Sequence, residues 1–284
     1  MNSQTSQMQN VARNLERLVN QFEKRLRTYF MSPDKRNVLI LLVTTGIICQ
    51  NQIDVYDNFE ASELKNIWSS STMESKSFEI QSKVVRKGQS AAKITLRTGD
   101  IVEAGNDSSL VSERDELEEA DYLVCHEGTK YEYQFSLFLP DSFPIVPTRL
   151  IIAQWKQKCP RRLCSDDSPV LAIRYQSGKL FITLTTDSGR RRLYELRDEI
   201  RNRLLDFKFQ VRFSKQNNGE IEAFLNDKNI ITYKGITGYS EKRHYYAKNN
   251  TFYFKMGLYR DRMPEPMSIY IDEYTKKEII ENQK

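Results

Sequence analysis

Ten short segments of alternating apolar and polar residues run through most of this chain, and a period of two is the pattern of half-buried strands. They are Phe78 to Val84, Ala92 to Leu96, Tyr131 to Phe138, Arg149 to Trp155, Val170 to Tyr175, Lys179 to Thr185, Phe207 to Phe213, Glu220 to Leu225, Thr251 to Tyr259 and Met267 to Tyr274. Turn-forming residues separate them, including Arg86-Lys87-Gly88, Pro140-Asp141, Gln176-Ser177-Gly178 and Asn217-Asn218-Gly219. Glycine, proline and asparagine supply the backbone angles that a reversal needs. Short strands joined by tight turns pair antiparallel, and two such sheets bury one face each, so the pattern predicts an all-β antiparallel sandwich. At 284 residues the chain suits one large domain of this kind. The one helical stretch predicted among these strands is Leu193 to Leu205, rich in Arg, Glu and Leu, with a long loop carrying a helical turn as the alternative.

Three strand-like segments put polar residues two apart: Arg114-Asp115-Glu116, Gln154-Trp155-Lys156 and Lys255-Met256-Gly257-Leu258-Tyr259. Side chains at i and i+2 share one face, roughly 7 Å apart. In Tyr253 to Tyr259 the division is clean. Phe254, Met256 and Leu258 form the apolar side, while Tyr253, Lys255 and Tyr259 surround Gly257, whose missing side chain leaves room for an approaching group. That face is expected to floor a cleft.

Lys and Arg total 43 against 38 Asp and Glu, a net charge of +5, which permits an anionic partner without requiring one. With no basic helix, zinc-finger spacing or ribonucleoprotein aromatic run, nucleic acid is not expected as a partner. The four cysteines, Cys49, Cys125, Cys159 and Cys164, form no Cys-x-x-Cys pair, and the histidines are two, His126 and His244, which argues against structural zinc. Cys159 and Cys164 bracket Pro-Arg-Arg-Leu. They close a small disulfide loop if the protein is exported, or stand as two free thiols.

Residues 1–52 follow a different pattern. Met8, Val11, Leu15, Leu18, Phe22 and Leu26 recur at steps of three and four among charged residues, which predicts an amphipathic helical extension over 1–30. Val38 to Cys49 is an uninterrupted apolar to weakly polar run behind Asp34-Lys35-Arg36, short of the ~20 residues of a comfortable membrane span but of signal-peptide length. Residues 31–52 are therefore expected to be a signal peptide, with translation from Met31, or a signal anchor behind a cytosolic helix. A buried core strand is the remaining alternative. The expected location is secreted or periplasmic, with membrane attachment through 38–49 as the alternative.

Several motifs, taken in order, carry a family resemblance. They are Arg114-Asp115-Glu116-Leu117, then Tyr131 to Leu137 leading through Leu139-Pro140-Asp141 into Ile151-Ile152-Ala153-Gln154-Trp155, then Ser168 to Tyr175, Phe207 to Ser214, and Tyr253 to Arg260. Together they resemble the heparin lyase I-like polysaccharide lyases, which include glucuronan lyases, with a further similarity to alginate lyases of related architecture. The resemblance implies a jelly-roll β-sandwich of two antiparallel sheets over 53–284. It also implies an anionic uronic-acid polysaccharide as substrate, cleaved by β-elimination with no organic cofactor. A base takes the C5 proton of the uronate, an acid protonates the departing glycosidic oxygen, and a 4,5-unsaturated uronate remains. The carboxylate beside C5 opposes negative charge on that carbon, so donors and cations aimed at it stabilise the enolate-like transition state.

In the resembling families an Arg and a Gln serve that carboxylate, at the positions of Arg114 and Gln154 here. Lys255 stands where a lysine gives electrostatic support, and Tyr259 where a tyrosine moves the proton. A phenol with an ordinary pKa near ~10 is a good acid and a poor base at neutral pH, and nearby cations favour its anion. Where the family often has His two positions after the Gln, this chain has Lys156. Tyr259 is therefore expected to be the base, with Lys156 next.

Glu116 is expected chiefly to pair with and position Arg114. Arg174 and Tyr175 either bind sugar or cap the sheet edge. Arg190-Arg191-Arg192 is predicted to be a solvated turn. Tyr253, Arg260, Arg262 and Tyr245-Tyr246 are candidates for gripping flanking uronates. Asp57, Asp272 and Glu273 sit where jelly rolls carry calcium, with spacing too loose to define a structural calcium site. Two other functions compete: a non-catalytic carbohydrate-binding protein on the same fold, and a glycoside hydrolase. The hydrolase needs two carboxylates across a cleft, and no acidic pair stands out in the Gln154 or Tyr259 motifs. A monomer acting on an anionic polysaccharide is the expectation.

Overall fold

The computed structural model describes residues 52–100, 102–104, 111–159, 168–240 and 250–281. The extension 1–30, the apolar run 38–49, Cys164, His244 and Tyr245-Tyr246 lie outside the described residues.

The strands, in chain order, are β1 (Asp54–Asp57), β2 (Trp68–Thr72), β3 (Phe78–Gln81), β4 (Ala91–Leu96), β5 (Val102–Ala104), β6 (Val111–Glu119), β7 (Cys125–His126), β8 (Lys130–Phe138), β9 (Leu150–Gln157), β10 (Leu171–Gln176), β11 (Lys179–Thr186), β12 (Gly189–Leu196), β13 (Leu204–Arg212), β14 (Gly219–Leu225), β15 (Lys228–Gly235), β16 (Thr251–Asp261) and β17 (Met267–Ile279). One sheet runs β15-β14-β13-β8-β17-β4-β3, with β1 also on β17. The other runs β12-β11-β10-β9-β16-β6-β2, with β5 on β6 and β7 on β16. Their inner faces meet in a jelly-roll sandwich.

Period-two patterning explains which side of each strand turns inward. Along β13, Leu205, Phe207, Phe209 and Val211 are buried and their neighbours are not, and β14 answers with Ile221, Ala223 and Leu225. The two sheets lock through aromatic side chains: the Trp155 ring lies 4.7 Å from Phe254 beside it and 4.9 Å from Phe209 on the opposite sheet. Aromatic pairs at such distances add to simple area burial. A buried ion pair also crosses the interior, Lys276 Nζ to Glu119 Oε2 at 2.8 Å, with the Tyr274 hydroxyl donating to Glu119. The Gln176-Ser177-Gly178 turn closes the β10–β11 hairpin with φ of 51° at Ser177 and 80° at Gly178, the left-handed pair that a two-residue hairpin demands.

The predicted helix at Leu193 to Leu205 is not formed. Leu193 to Leu196 finish β12, where Tyr194 pairs with Ile182 and Leu196 with Leu180, and Leu204 opens β13. Hydrogen bonds to a waiting strand edge override the helical preference of Leu, Glu and Arg. Arg190, Arg191 and Arg192 likewise lie on β12 rather than in a turn, in register with Thr185, Leu184 and Thr183. Cys159 is disulfide-bonded, and Cys125 is a buried free thiol.

Candidate active site

Three adjacent strands of the second sheet, β6, β16 and β9, carry the motif residues. In β16, Phe254, Met256 and Leu258 enter the core, which leaves Tyr253, Lys255 and Tyr259 on the outward face as the alternation requires. Register sets Tyr259 opposite Arg114, Gly257 opposite Glu116, and Lys255 opposite both Glu118 and Gln154.

Glu116 is the hub of the cluster. Fully buried, it accepts a hydrogen bond from the Gln154 amide and lies 3.7 Å from the Arg114 guanidinium. Arg114 in turn packs over the Tyr259 ring, 4.3 Å from its centroid. A second guanidinium reaches the same ring from the β9 side: Arg149 sits 4.8 Å from the centroid and is held by Asp261 at 2.6 Å and Ser112 at 3.0 Å. Arg114, Gln154 and Tyr259 are thus brought together, with a cation reaching the tyrosine from each neighbouring strand. Cation–π contacts of this length fix the ring and surround it with positive charge.

Gly257 serves this geometry differently from the expected vacancy for a ligand. Its φ is 146°, and a Cβ there would fall 2.2 Å from the Asp115 carbonyl oxygen. The absent side chain admits the protein's own β6 backbone. Register between β16 and β9 also slips between Met256 and Tyr259, a bulge of the kind that re-aims a side chain.

Other candidates lie farther along the strands. Lys255 is nearly buried and its ammonium is matched by Glu118 at 2.7 Å. Lys156, the second candidate base, is in register with Tyr253, six residues from Tyr259, or roughly 20 Å of strand, so the register does not bring it to Tyr259. His126 is opposite Thr251, farther still.

Beside Tyr259 on the β10 side lies a cavity of about 470 Å³, lined by Arg149, Arg174, Arg190 and Arg192 with Phe181 and Thr183 among others. Arg174 is 3% exposed and donates from Nε to Thr183 Oγ1 at 2.9 Å. Burial, with Arg190 and Arg149 close by, lowers its pKa to about 9. Arg149, Arg190 and Arg192 were not expected here. The available signal was the period of two in β12, which puts Arg190 and Arg192 on the same face as Thr185 and Thr183. Arg149 carried no local signal, because it precedes β9 and reaches Tyr259 by tertiary packing alone.

Two expected sugar contacts are corrected. Arg260 is fully buried, with Nη2 and Nε at 3.0 and 3.2 Å from Glu113 Oε2 and further bonds to the Met263 and Glu265 carbonyls. It faces away from Tyr259 on alternating backbone, so it braces the sheet and cannot grip a polymer. Tyr175 is also buried: its ring meets Phe143 edge-on at 5.1 Å and its hydroxyl donates to the Pro144 carbonyl at 3.0 Å. It supplies wall rather than grip. The carboxylates of Asp57 and Asp272 accept hydrogen bonds, Asp57 from the Phe59 amide and the Trp68 indole, Asp272 from the Arg86 and Lys87 amides. Among the described residues no group of three or more His, Cys, Asp or Glu is arranged to hold a metal.

A family model described as polysaccharide lyase matches residues 53–275. Among solved structures, an endo-β-1,4-glucuronan lyase from the fungus Trichoderma reesei is similar with a TM-score of 0.62 at 17% identity, covering 78% of this chain and 94% of that one. Alginate lyase AlgAT5 of polysaccharide lyase family 7 gives a TM-score of 0.49 at 17% identity, over 74% of this chain and 86% of that one. No curated protein matches the chain. The glucuronan lyase similarity reports a shared jelly roll, whereas the sequence match extends over nearly the whole sandwich and includes every strand of the Tyr259 cluster. On that match the chain belongs to the polysaccharide lyase family.

Proposed function

We propose that the enzyme cleaves a uronic-acid-containing polysaccharide by β-elimination, leaving a 4,5-unsaturated uronate at the new end. One observation carries the reading: Gln154 and Arg114 share the buried carboxylate of Glu116 while Arg114 packs on Tyr259. An amide carries N–H donors and a guanidinium five in a fixed fork, the donor chemistry that a substrate carboxylate accepts. Neutralising that carboxylate lowers the barrier to removing the C5 proton. Tyr259, within reach of the same ring, moves the proton.

A hydrolase would need two carboxylates at work, but Glu116 and Glu118 are each engaged, one by Gln154 and Arg114 and the other by Lys255. Export through residues 31–52 fits both a polymeric substrate and the disulfide at Cys159, since such bonds persist in oxidising compartments. Incubation with glucuronan, alginate and heparin-like polymers, followed by ultraviolet absorbance of the conjugated product, tests the reading. Product from at least one polymer is expected, and chain shortening without that absorbance would overturn elimination.

A further inference from the structure

We propose that the arginine-lined cavity beside Tyr259 is an anion subsite that takes a carboxylate or sulfate on the sugar adjoining the uronate being cleaved. The inference rests on the lyase reading for the identity of the polymer, and on geometry for the subsite. Arg149, Arg174, Arg190 and Arg192 line a space of about 470 Å³ with no acidic residue among its described lining. That volume lies within the usual range of ligand pockets.

Two of the four cations already have carboxylate partners, Arg149 with Asp261 and Arg192 with Glu195. Arg190 donates to Ser168 Oγ at 2.7 Å. Arg174 spends Nε on Thr183, yet among the described residues its buried Nη2 has no hydrogen-bond partner. Buried donors are almost always satisfied, and a planar guanidinium is shaped to hold a carboxylate or sulfate through two parallel bonds. The cavity supplies the cation, and a bound anion would supply the acceptor.

Position relates this subsite to the chemistry. Arg174 and Tyr259 are both in register with Ile151, one from each side of β9, which separates them by two strand spacings, roughly 10 Å. Arg149 joins the two places, lining the cavity while stacking on Tyr259. An anion at Arg174 therefore belongs to a neighbouring sugar and not to the uronate at Arg114 and Gln154. A polymer charged on consecutive sugars satisfies both.

The test is calorimetric titration of the whole protein with sodium glucuronate and with sodium sulfate at constant ionic strength, comparing wild type with Arg174→Gln and Arg192→Gln. At least one probe should bind wild type and lose about tenfold or more in affinity in Arg174→Gln, the worth of one charged hydrogen bond. Which probe binds separates a carboxylate subsite from a sulfate one. Arg192 is half exposed, so Arg192→Gln keeps the test alive if the buried substitution misfolds, and it too should weaken binding. No binding by either probe, or equal affinity in wild type and both variants, overturns the subsite. Titration requires no turnover, so a lyase that yields product without this binding loses the subsite alone, and binding without product from any polymer loses only the lyase reading.

Discussion

Glu116 on β6 accepts the side-chain amide of Gln154 on β9 across the intervening strand β16, close to Gly257. This one carboxylate orients both residues assigned to the substrate's acid group, because Arg114 lies against it as well. Glu116→Ala should therefore lower kcat/KM for the preferred polymer by about ten- to a hundredfold, the cost of misplacing charged donors. Glu116→Gln, which keeps an acceptor for the Gln154 amide, should lose less. Equal rates for wild type and Glu116→Ala, measured by appearance of the unsaturated uronate, would remove Glu116 from the mechanism.

Tyr259→Phe preserves the ring on which Arg114 and Arg149 stack and deletes only the hydroxyl. If that hydroxyl transfers the proton, kcat should fall by about two to four orders of magnitude with little change in melting temperature. Tyr253→Phe, at the position opposite Lys156, should cost far less. The reverse order would assign proton transfer to the Lys156 end of the strands.

Much of the sandwich was legible in the sequence because period two survives wherever one strand face is dry and the other wet, as in Phe207 to Val211. It failed where the strand edge is mostly charged. Leu150 to Trp155 was read as a strand even though it is buried throughout, because Arg149 and Gln154 still mark its polar side. Gly189 to Leu196, dense in arginine, pairs as a strand despite helical propensity. Within the site, the family resemblance singled out Arg114, Gln154 and Tyr259, and the structure brings the three together. Arg149 was not singled out, because its contact with Tyr259 is made between strands and after a bulge. Arg260 misled for a related reason: one residue past Tyr259 on alternating backbone, it turns to the opposite face and meets Glu113.

That reversal predicts a stability effect in place of a binding effect. Both partners of the Arg260–Glu113 pair are fully buried, and Arg260→Met leaves the carboxylate with the Gly99 amide at 2.7 Å and the half-exposed Arg262 at 3.6 Å. Breaking one side of a buried pair costs about 3–5 kcal/mol, so the urea midpoint should drop sharply while KM of the folded fraction stays unchanged. A raised KM at unaltered stability would return Arg260 to the substrate.

Asp115, next to Glu116 but on the opposite face of β6, makes stability depend on pH. Its carboxyl pKa is raised to about 7, chiefly by burial and further by the adjacent Asp100, against the hydrogen bond it accepts from the Glu74 amide at 2.7 Å. The folded protein therefore holds a proton that the unfolded chain, with an ordinary value of 3.8, has released. Stability from this group is complete below about pH 4 and declines as pH rises through about 7, because the native state binds the extra proton. Asp115→Asn keeps the acceptor for the Glu74 amide and cannot ionise. Denaturation at pH 5 and pH 8 should show the variant gaining on wild type at the higher pH. A constant difference between the two proteins across that interval would mean that Asp115 is already ionised in the fold.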